Sequence, residues 1–242
     1  MPGVFLGDRV PDEITRFARS VGPEPDDVLV DMHALATRES YPIVGPEVGA
    51  WLSQLARITA TERVFEFGSA IGYSAYWFCR ALPPSGEVVL TDHDPDTLDR
   101  AREFLERGGF EDRATFEVGD AVATAEEYDG PFDVAFLDIE KYQYADAFEA
   151  IRDDVAPGGV VVADDTMTAG RKHVEDVVDF GAVLRTVEID DLSVEDFPLG
   201  EEARRGSRGI VEYLATLRDD PEFETTLLPL GDGVTVSTRR RG

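Results

Sequence analysis

Cysteine, histidine and lysine are all scarce in this chain. Of its 242 residues one is cysteine, Cys79, and three are histidine. A single cysteine excludes an internal disulfide and fits a reducing, cytoplasmic setting. Cys79 closes the apolar pattern Tyr76-Trp77-Phe78-Cys79 and reads as core packing, not as a nucleophile. His33, His93 and His173 have no metal-ligand spacing, although His93 follows an aspartate of interest below. No apolar run approaches the length of a membrane span. The opening MPGVFLGDRVPDE lacks the basic and apolar regions of a signal peptide. Positive charge is sparse too. Against 50 Asp and Glu stand 23 Lys and Arg, a net charge of −27. A field of that sign repels polyanions, which excludes nucleic-acid binding through phosphates and attachment to anionic lipid.

Lysine occurs only at Lys141 and Lys172; every other basic side chain is arginine. Lysine can give up its proton when its pKa is lowered, and arginine cannot. A lysine three residues after Asp138 is therefore notable. The acidic, lysine-poor composition as a whole resembles that of proteins from salt-loving archaea. Self-repulsion should then weaken the fold at low salt.

What is present is an alternation of strands and helices. The 43% hydrophobic content supports one sizeable core, and one domain over 1–242 is the simplest organisation. Residues 11–21 and 26–38 read as two amphipathic helices of an N-terminal cap (1–40), and Pro46–Ile58 as a third helix. Then RVFEF, EVVLTD, ATFEVGD, DVAFLD and VVVADD read as strands, separated by helical patterns. The helix from Tyr144 is predicted to run on to Pro157-Gly158-Gly159. TTLLPL and GVTVSTR flank Gly231-Asp232, a hairpin signal. The fold class is thus α/β, a seven-stranded, mostly parallel sheet with an antiparallel C-terminal hairpin and helices on both faces. Residues 183–208 are acidic and irregular and read as a lid or an oligomer contact.

Two strands end abruptly at carboxylates, FLDIEK at Asp138 and VVADD at Asp164 and Asp165. Open α/β sheets bind ligands at the C-terminal ends of their strands. Three carboxylates on one rim repel unless a cation or a shared proton holds them. That pattern points to a hard divalent metal with oxygen ligands. The competing reading is that the acids cap the helices that follow. The first strand runs into EFGSAIGYS, Glu66–Ser74. Gly68 and Gly72 permit tight turns and close backbone approach to a ligand. Asp92, twenty residues beyond Gly72, is placed to accept from the hydroxyls of a ribose. The dinucleotide fingerprint is G-x-G-x-x-G, whereas here the spacing is G-x-x-x-G with Glu66 two residues ahead. A carboxylate there repels a pyrophosphate and suits an ammonium or sulfonium. Asp120, at the end of the third strand, could accept from an adenine amine. Together these favour S-adenosylmethionine over a nicotinamide cofactor, with capping by Asp92 and Asp94 ahead of Pro95 as the alternative.

In order along the chain, EFGSAIGYSA, VGDA, FDVAFLDIEKYQY, APGGVVVADD and LLPLGDGVTVSTRR resemble the metal-dependent O-methyltransferases that include catechol and caffeoyl-CoA O-methyltransferases. The resemblance spans roughly Tyr41 to Arg240 and implies a Rossmann-like methyltransferase fold. It implies that Glu66, Gly68, Ser69, Gly72, Tyr73 and Ser74 surround the methionine part of S-adenosylmethionine, with Val44 in the segment closing over it. Asp92 would bind the ribose, Asp120 and Ala121 the adenine. Asp138, also near the cofactor, would ligate a divalent metal with Asp164 and Asp165: magnesium first, with manganese or calcium as alternatives. Lys141 would be the general base for methyl transfer to a hydroxyl of a small, catechol-like, metal-chelating acceptor. The expected partner beyond that acceptor is a second copy of the chain, in a homodimer. Tyr144 matches a family tyrosine to which the pattern assigns no role. Asp165 departs from the pattern, which has Asn there, and adds a negative charge. Tyr213-Leu214 stands where Phe-Asn is common. A protein that binds the cofactor without catalysis, a nicotinamide-dependent oxidoreductase, and a methyltransferase with another class of acceptor are the rival readings.

Overall fold

A computed structural model describes residues 12–167 and 201–242. Three helices come first: α1 (Asp12–Val21), α2 (Asp27–Glu39) and α3 (Pro46–Ile58). The alternating region follows as β1 (Arg63–Phe67), α4 (Tyr73–Cys79), β2 (Glu87–Asp92), α5 (Pro95–Arg107), β3 (Ala114–Val118), α6 (Ala121–Ala125), β4 (Phe132–Leu137), α7 (Tyr144–Ile151) and β5 (Val155–Ala163). The last described elements are α8 (Glu201–Asp219), β6 (Phe223–Leu228) and β7 (Val234–Arg239). The seven strands form one sheet in the order β3-β2-β1-β4-β5-β7-β6. Strands β1 to β5 pair in parallel, while β7 runs antiparallel to both β5 and β6. This is the predicted fold class.

Period-two alternation along buried strands divides the core into two layers. Val64, Val88, Leu90, Val134, Phe136, Val160 and Val162 face one side, with apolar residues of α2, α3, α4 and α5. Phe65, Phe67, Val89, Ala135, Leu137, Val161 and Ala163 face the other, with residues of α6, α7 and α8. Leu29, Met32, Leu35 and Ala36 of α2 belong to the first layer, so this helix is part of the main core. Cys79 is fully buried there, and burial pushes its thiol up to about 12, as expected of a packing residue. No helix among the described residues is long and apolar enough to cross a membrane.

Two boundaries differ from the sequence reading. Helix α7 stops at Ile151, and after a tight turn at Arg152–Asp154 the chain is already in β5. Pro157-Gly158-Gly159 therefore lies inside a strand. The register against β4 slips there, with Phe132 opposite Val155 but Val134 opposite Val160, and Gly158 adopts φ +90°. A Pro-Gly-Gly run can make a strand irregularity as well as a helix stop. In addition, Glu201–Arg208 forms the first turns of α8 and is not irregular. The remainder of the proposed lid, 183–200, lies outside the described residues, as do Lys172, His173 and the first eleven residues.

Candidate active site

Strands β1, β4 and β5 end side by side. The Asp138 N–H donates to the Phe67 carbonyl (2.9 Å), and the Asp164 N–H donates to the Leu137 carbonyl (3.0 Å). These bonds carry the sheet ladder one residue past each strand and bring the glycine loop and the carboxylates to one rim.

Gly68 and Gly72 have φ of +79° and +77°, the left-handed region in which glycine carries no steric cost. A side chain at Gly68 would run into the backbone carbonyl of Asp138, and one at Gly72 would lie 2.8 Å from the Ala101 Cβ. The loop thus needs glycine for conformation and for close packing. Thr91, which no sequence motif singled out, latches it: its hydroxyl donates to the Glu66 carbonyl (2.7 Å) and accepts from the Gly68 N–H (3.4 Å).

Glu66 is wholly buried, and neither carboxylate oxygen has a hydrogen-bond partner among the described residues. Burial pushes its pKa up to about 7, with the neighbouring Ser74 and Ser69 hydroxyls opposing the rise and Asp138 and Asp92 adding to it. The Ser69 hydroxyl is also buried, with no well-aligned hydrogen bond among the described residues. Orphaned buried polar atoms at a ligand-facing loop fit a group that brings its own positive charge and donors. Tyr73 and Ser74 are buried in the first turn of α4. Val44 is buried in the segment leading into α3, in the same core layer as Ile71 and Tyr73.

The aspartates at the ends of β2 and β3 divide their work in a way the sequence left open. Asp94 caps α5 through the Asp96 N–H (2.9 Å). Asp92 caps nothing; its two oxygens accept from the Ala70 N–H (2.9 Å) and the Asp94 N–H (3.0 Å), tying the glycine loop to the end of β2. This orients the carboxylate and leaves lone pairs for further donors. His93 lies 3.4 Å from Asp92 and is almost fully exposed. Asp120 is exposed and spends one oxygen capping α6, through the Val122 and Ala123 N–H groups at 3.0 Å each. Only its other oxygen can serve an adenine. Ala121 is buried beside it.

Lys141 stands between the carboxylates. Its Nζ is 3.4 Å from Asp138 Oδ1 and 3.4 Å from Asp165 Oδ2. It also donates to the Tyr144 hydroxyl at 2.6 Å, and that hydroxyl in turn donates to the Asp164 carbonyl at 2.9 Å. Burial acts to lower the lysine pKa, but the Tyr144 oxygen and the carboxylates of Asp138 and Asp165 outweigh it and hold the ammonium charged. Tyr144, fully buried, is kept neutral by its own burial. Asp164 is pushed well above the usual carboxylate range by burial and then by Asp138 and Asp165. Asp165 adopts φ +56°, a conformation that Asn and Asp tolerate far better than other side chains. Aspartate therefore holds this turn at little steric cost.

Among the described residues no three carboxylate, histidine or cysteine side chains are gathered closely enough to hold a metal as they stand. The donor chemistry nonetheless fits a hard cation. Three carboxylates share the rim, the Lys141 ammonium lies between two of them, and Asp164 Oδ1 is buried without a hydrogen-bond partner among the described residues.

Against known proteins, the model of the O-methyltransferase family matches residues 26–240. The chain belongs to the O-methyltransferase family. A catechol O-methyltransferase of Niastella koreensis is 31% identical over 156 residues, 62% of this chain and 71% of that protein. Caffeoyl-CoA O-methyltransferase 2 of Petunia hybrida is 23% identical over 91% of this chain and 86% of its own length. Among solved structures, a methyltransferase of Geobacter sulfurreducens superposes with TM-score 0.73 at 26% identity, covering 98% of this chain and all of that one. The O-methyltransferase TomG of Streptomyces achromogenes, solved with S-adenosylmethionine, gives 0.76 at 23% identity over 95% and 96% of the two chains; at that identity it speaks to the fold. Within this O-methyltransferase the predicted residues fall at the ends of β1 to β5 or on the turns and helices that follow, apart from Val44, which precedes α3. Sequence reasoning missed Thr91 and gave Tyr144 no part; both act through hydrogen bonds between elements distant in the chain.

Proposed function

We propose that this O-methyltransferase moves the methyl group of S-adenosylmethionine to one hydroxyl of a small aromatic acceptor bearing two adjacent hydroxyls, with a divalent cation, magnesium by preference, held by Asp138, Asp164 and Asp165. The observation that carries this reading is Lys141 at 3.4 Å from both Asp138 and Asp165, on the same rim as the glycine loop. The names of its relatives, catechol and caffeoyl-CoA O-methyltransferases, support the acceptor class.

Glu66 and the Ser69 and Ser74 hydroxyls receive the methionine ammonium, Asp92 the ribose, and Asp120 with Ala121 the adenine. A divalent cation bound at the three carboxylates would polarise the acceptor oxygens and neutralise the charge that keeps Lys141 protonated. Lys141, once neutral, takes the proton of the reacting hydroxyl. That oxygen then bonds to the methyl carbon as the carbon–sulfur bond breaks, and sulfur keeps the electron pair, leaving S-adenosylhomocysteine. Orientation of the two substrates supplies much of the acceleration, up to roughly 7–11 kcal/mol in favourable cases. The net charge of −27 supports a small acceptor over nucleic acid or anionic lipid, and the lone buried Cys79 supports a cytoplasmic setting. A homodimer follows the family pattern.

The test is a turnover screen of catechols, flavonoids and caffeoyl esters with S-adenosylmethionine in molar salt. Methylation should stop in excess chelator and return with magnesium. Full activity in chelator refutes the metal, and no product from any diphenol refutes the acceptor class.

A further inference from the structure

The Lys141 side chain could adopt many rotamers, yet it is pinned at one end of a short relay. The Tyr144 hydroxyl has a single proton. At 2.9 Å it donates that proton to the Asp164 carbonyl, so its lone pairs face Lys141 Nζ at 2.6 Å. The same hydroxyl lies 3.4 Å from the Leu137 carbonyl. One buried oxygen therefore touches the lysine and the ends of both strands that carry the carboxylates. The tyrosine ring is fixed in turn. Tyr213 of α8 meets it edge-on at 5.6 Å, and Lys141 Nζ lies 4.8 Å from its centroid. Helix α8 also braces the turn bearing the lysine. Gly209 packs so closely on the Lys141 carbonyl and Tyr142 that any side chain there would collide, and the Arg205 guanidinium stacks 3.4 Å over the Tyr142 ring.

We propose that Tyr144 is a positioning residue, whose hydroxyl holds the Lys141 nitrogen in register with Asp138 and Asp165 and so fixes where the acceptor's proton is received. This rests on the functional reading above for its catalytic consequence but not for its geometry. The carboxylates alone would attract an ammonium without choosing a place for it. Tyr144 supplies the direction, because its acceptor side is dictated by the Asp164 carbonyl.

The scarcity of lysine provides the test. Protein labelled with ¹³C and ¹⁵N in lysine gives signals from Lys141 and Lys172 only, assigned with Lys141→Arg. In the wild type one ammonium should be shifted from the free-lysine position and protected from exchange. Tyr144→Phe keeps the ring and removes the hydroxyl. It should return the Lys141 signal toward the free position, leave Lys172 unmoved and leave the Kd of S-adenosylhomocysteine within about twofold. With catechol as acceptor, kcat should fall by on the order of 10- to 100-fold, the scale of a misplaced reacting group. A wild-type Lys141 signal like that of free lysine overturns the proposal without any variant. So does a Lys141 signal indifferent to Tyr144→Phe, or an unchanged kcat. If the wild type methylates no diphenol, the functional reading fails, and the resonances still decide whether Tyr144 holds the lysine.

Discussion

Glu66 should make both stability and cofactor binding depend on protons. Its carboxyl is wholly buried near the end of β1, without a hydrogen-bond partner among the described residues, and burial pushes its pKa from an ordinary 4.5 up to about 7. Each unit of difference is worth about 1.4 kcal/mol, so the gap amounts to about 3 kcal/mol. The folded state binds this proton more tightly than the unfolded chain does. Stability from this group is therefore intact below pH 4.5, declines as pH rises and is lost above pH 7, where a bare carboxylate must be buried. Glu66→Gln removes the titration and keeps the shape. Near pH 5 the variant and the parent should unfold at similar temperatures. Near pH 8 the variant should be more stable by up to ~3 kcal/mol, roughly 6–12 °C for a chain of this size. Taking the difference between the two proteins cancels the many other acids. A bound ammonium would reverse the preference and favour the carboxylate. At pH 7 binding of S-adenosylhomocysteine should then release about half a proton, because Glu66 is about half protonated beforehand. Calorimetry in two buffers of different ionisation enthalpy reads that number, and Glu66→Gln should bring it near zero. A stability gap that does not widen between pH 5 and 8 would refute the reasoning.

Other substitutions probe the same rim. Lys141→Ala should leave the Kd of S-adenosylhomocysteine unchanged while turnover falls on the order of 10²- to 10⁴-fold, the usual worth of a general base; equal activity in a steady-state assay would remove it from that role. Gly68→Ala should cost stability by at least ~1–2 kcal/mol through its left-handed φ, and more through collision with the Asp138 carbonyl, as read by thermal unfolding. Asp165→Asn should fold, since Asn also accepts φ +56°, and should bind manganese more weakly in a titration followed by electron paramagnetic resonance. With a net charge of −27, the midpoint of thermal unfolding should rise between 0.1 and 2 M sodium chloride as self-repulsion is screened.

Much of the sheet and of the rim was legible because buried parallel strands announce themselves. EVVLTD and DVAFLD are short apolar runs that stop at charge, RVFEF is one that stops at glycine, and their ends are the rim. Gly68 and Gly72 were readable for a similar reason: a backbone with positive φ leaves glycine as its trace. Where one residue type has two uses, the chain alone was mute. Asp92, Asp94 and Asp120 look alike in sequence, yet one ties two loops together, one is a cap and one splits its oxygens between a cap and solvent. Pro157-Gly158-Gly159 has the composition of a helix stop and became a kink within β5 because pairing with β4 and β7 overrides it. The setting of Lys141 was legible only in part: Asp138 lies three residues before it in the chain, but Asp165, brought in from another strand end, also helps to hold the proton on.

The strand order has a consequence for how the protein is made. Strand β7 follows β6 in the chain but lies between β6 and β5. Its entry also grips the peptide just past the carboxylates: the Thr166 and Met167 N–H groups donate to the Gly233 and Asp232 carbonyls at 2.9 and 3.0 Å, and the Thr235 hydroxyl meets that of Thr166 at 2.8 Å. On the ribosome, Asp164 and Asp165 must wait for residues 232–239 before their strand acquires its second neighbour. Until then the cluster of like charges hangs on an unfinished sheet edge, so maturation of the rim is tied to the emergence of β7 and not to that of its own residues.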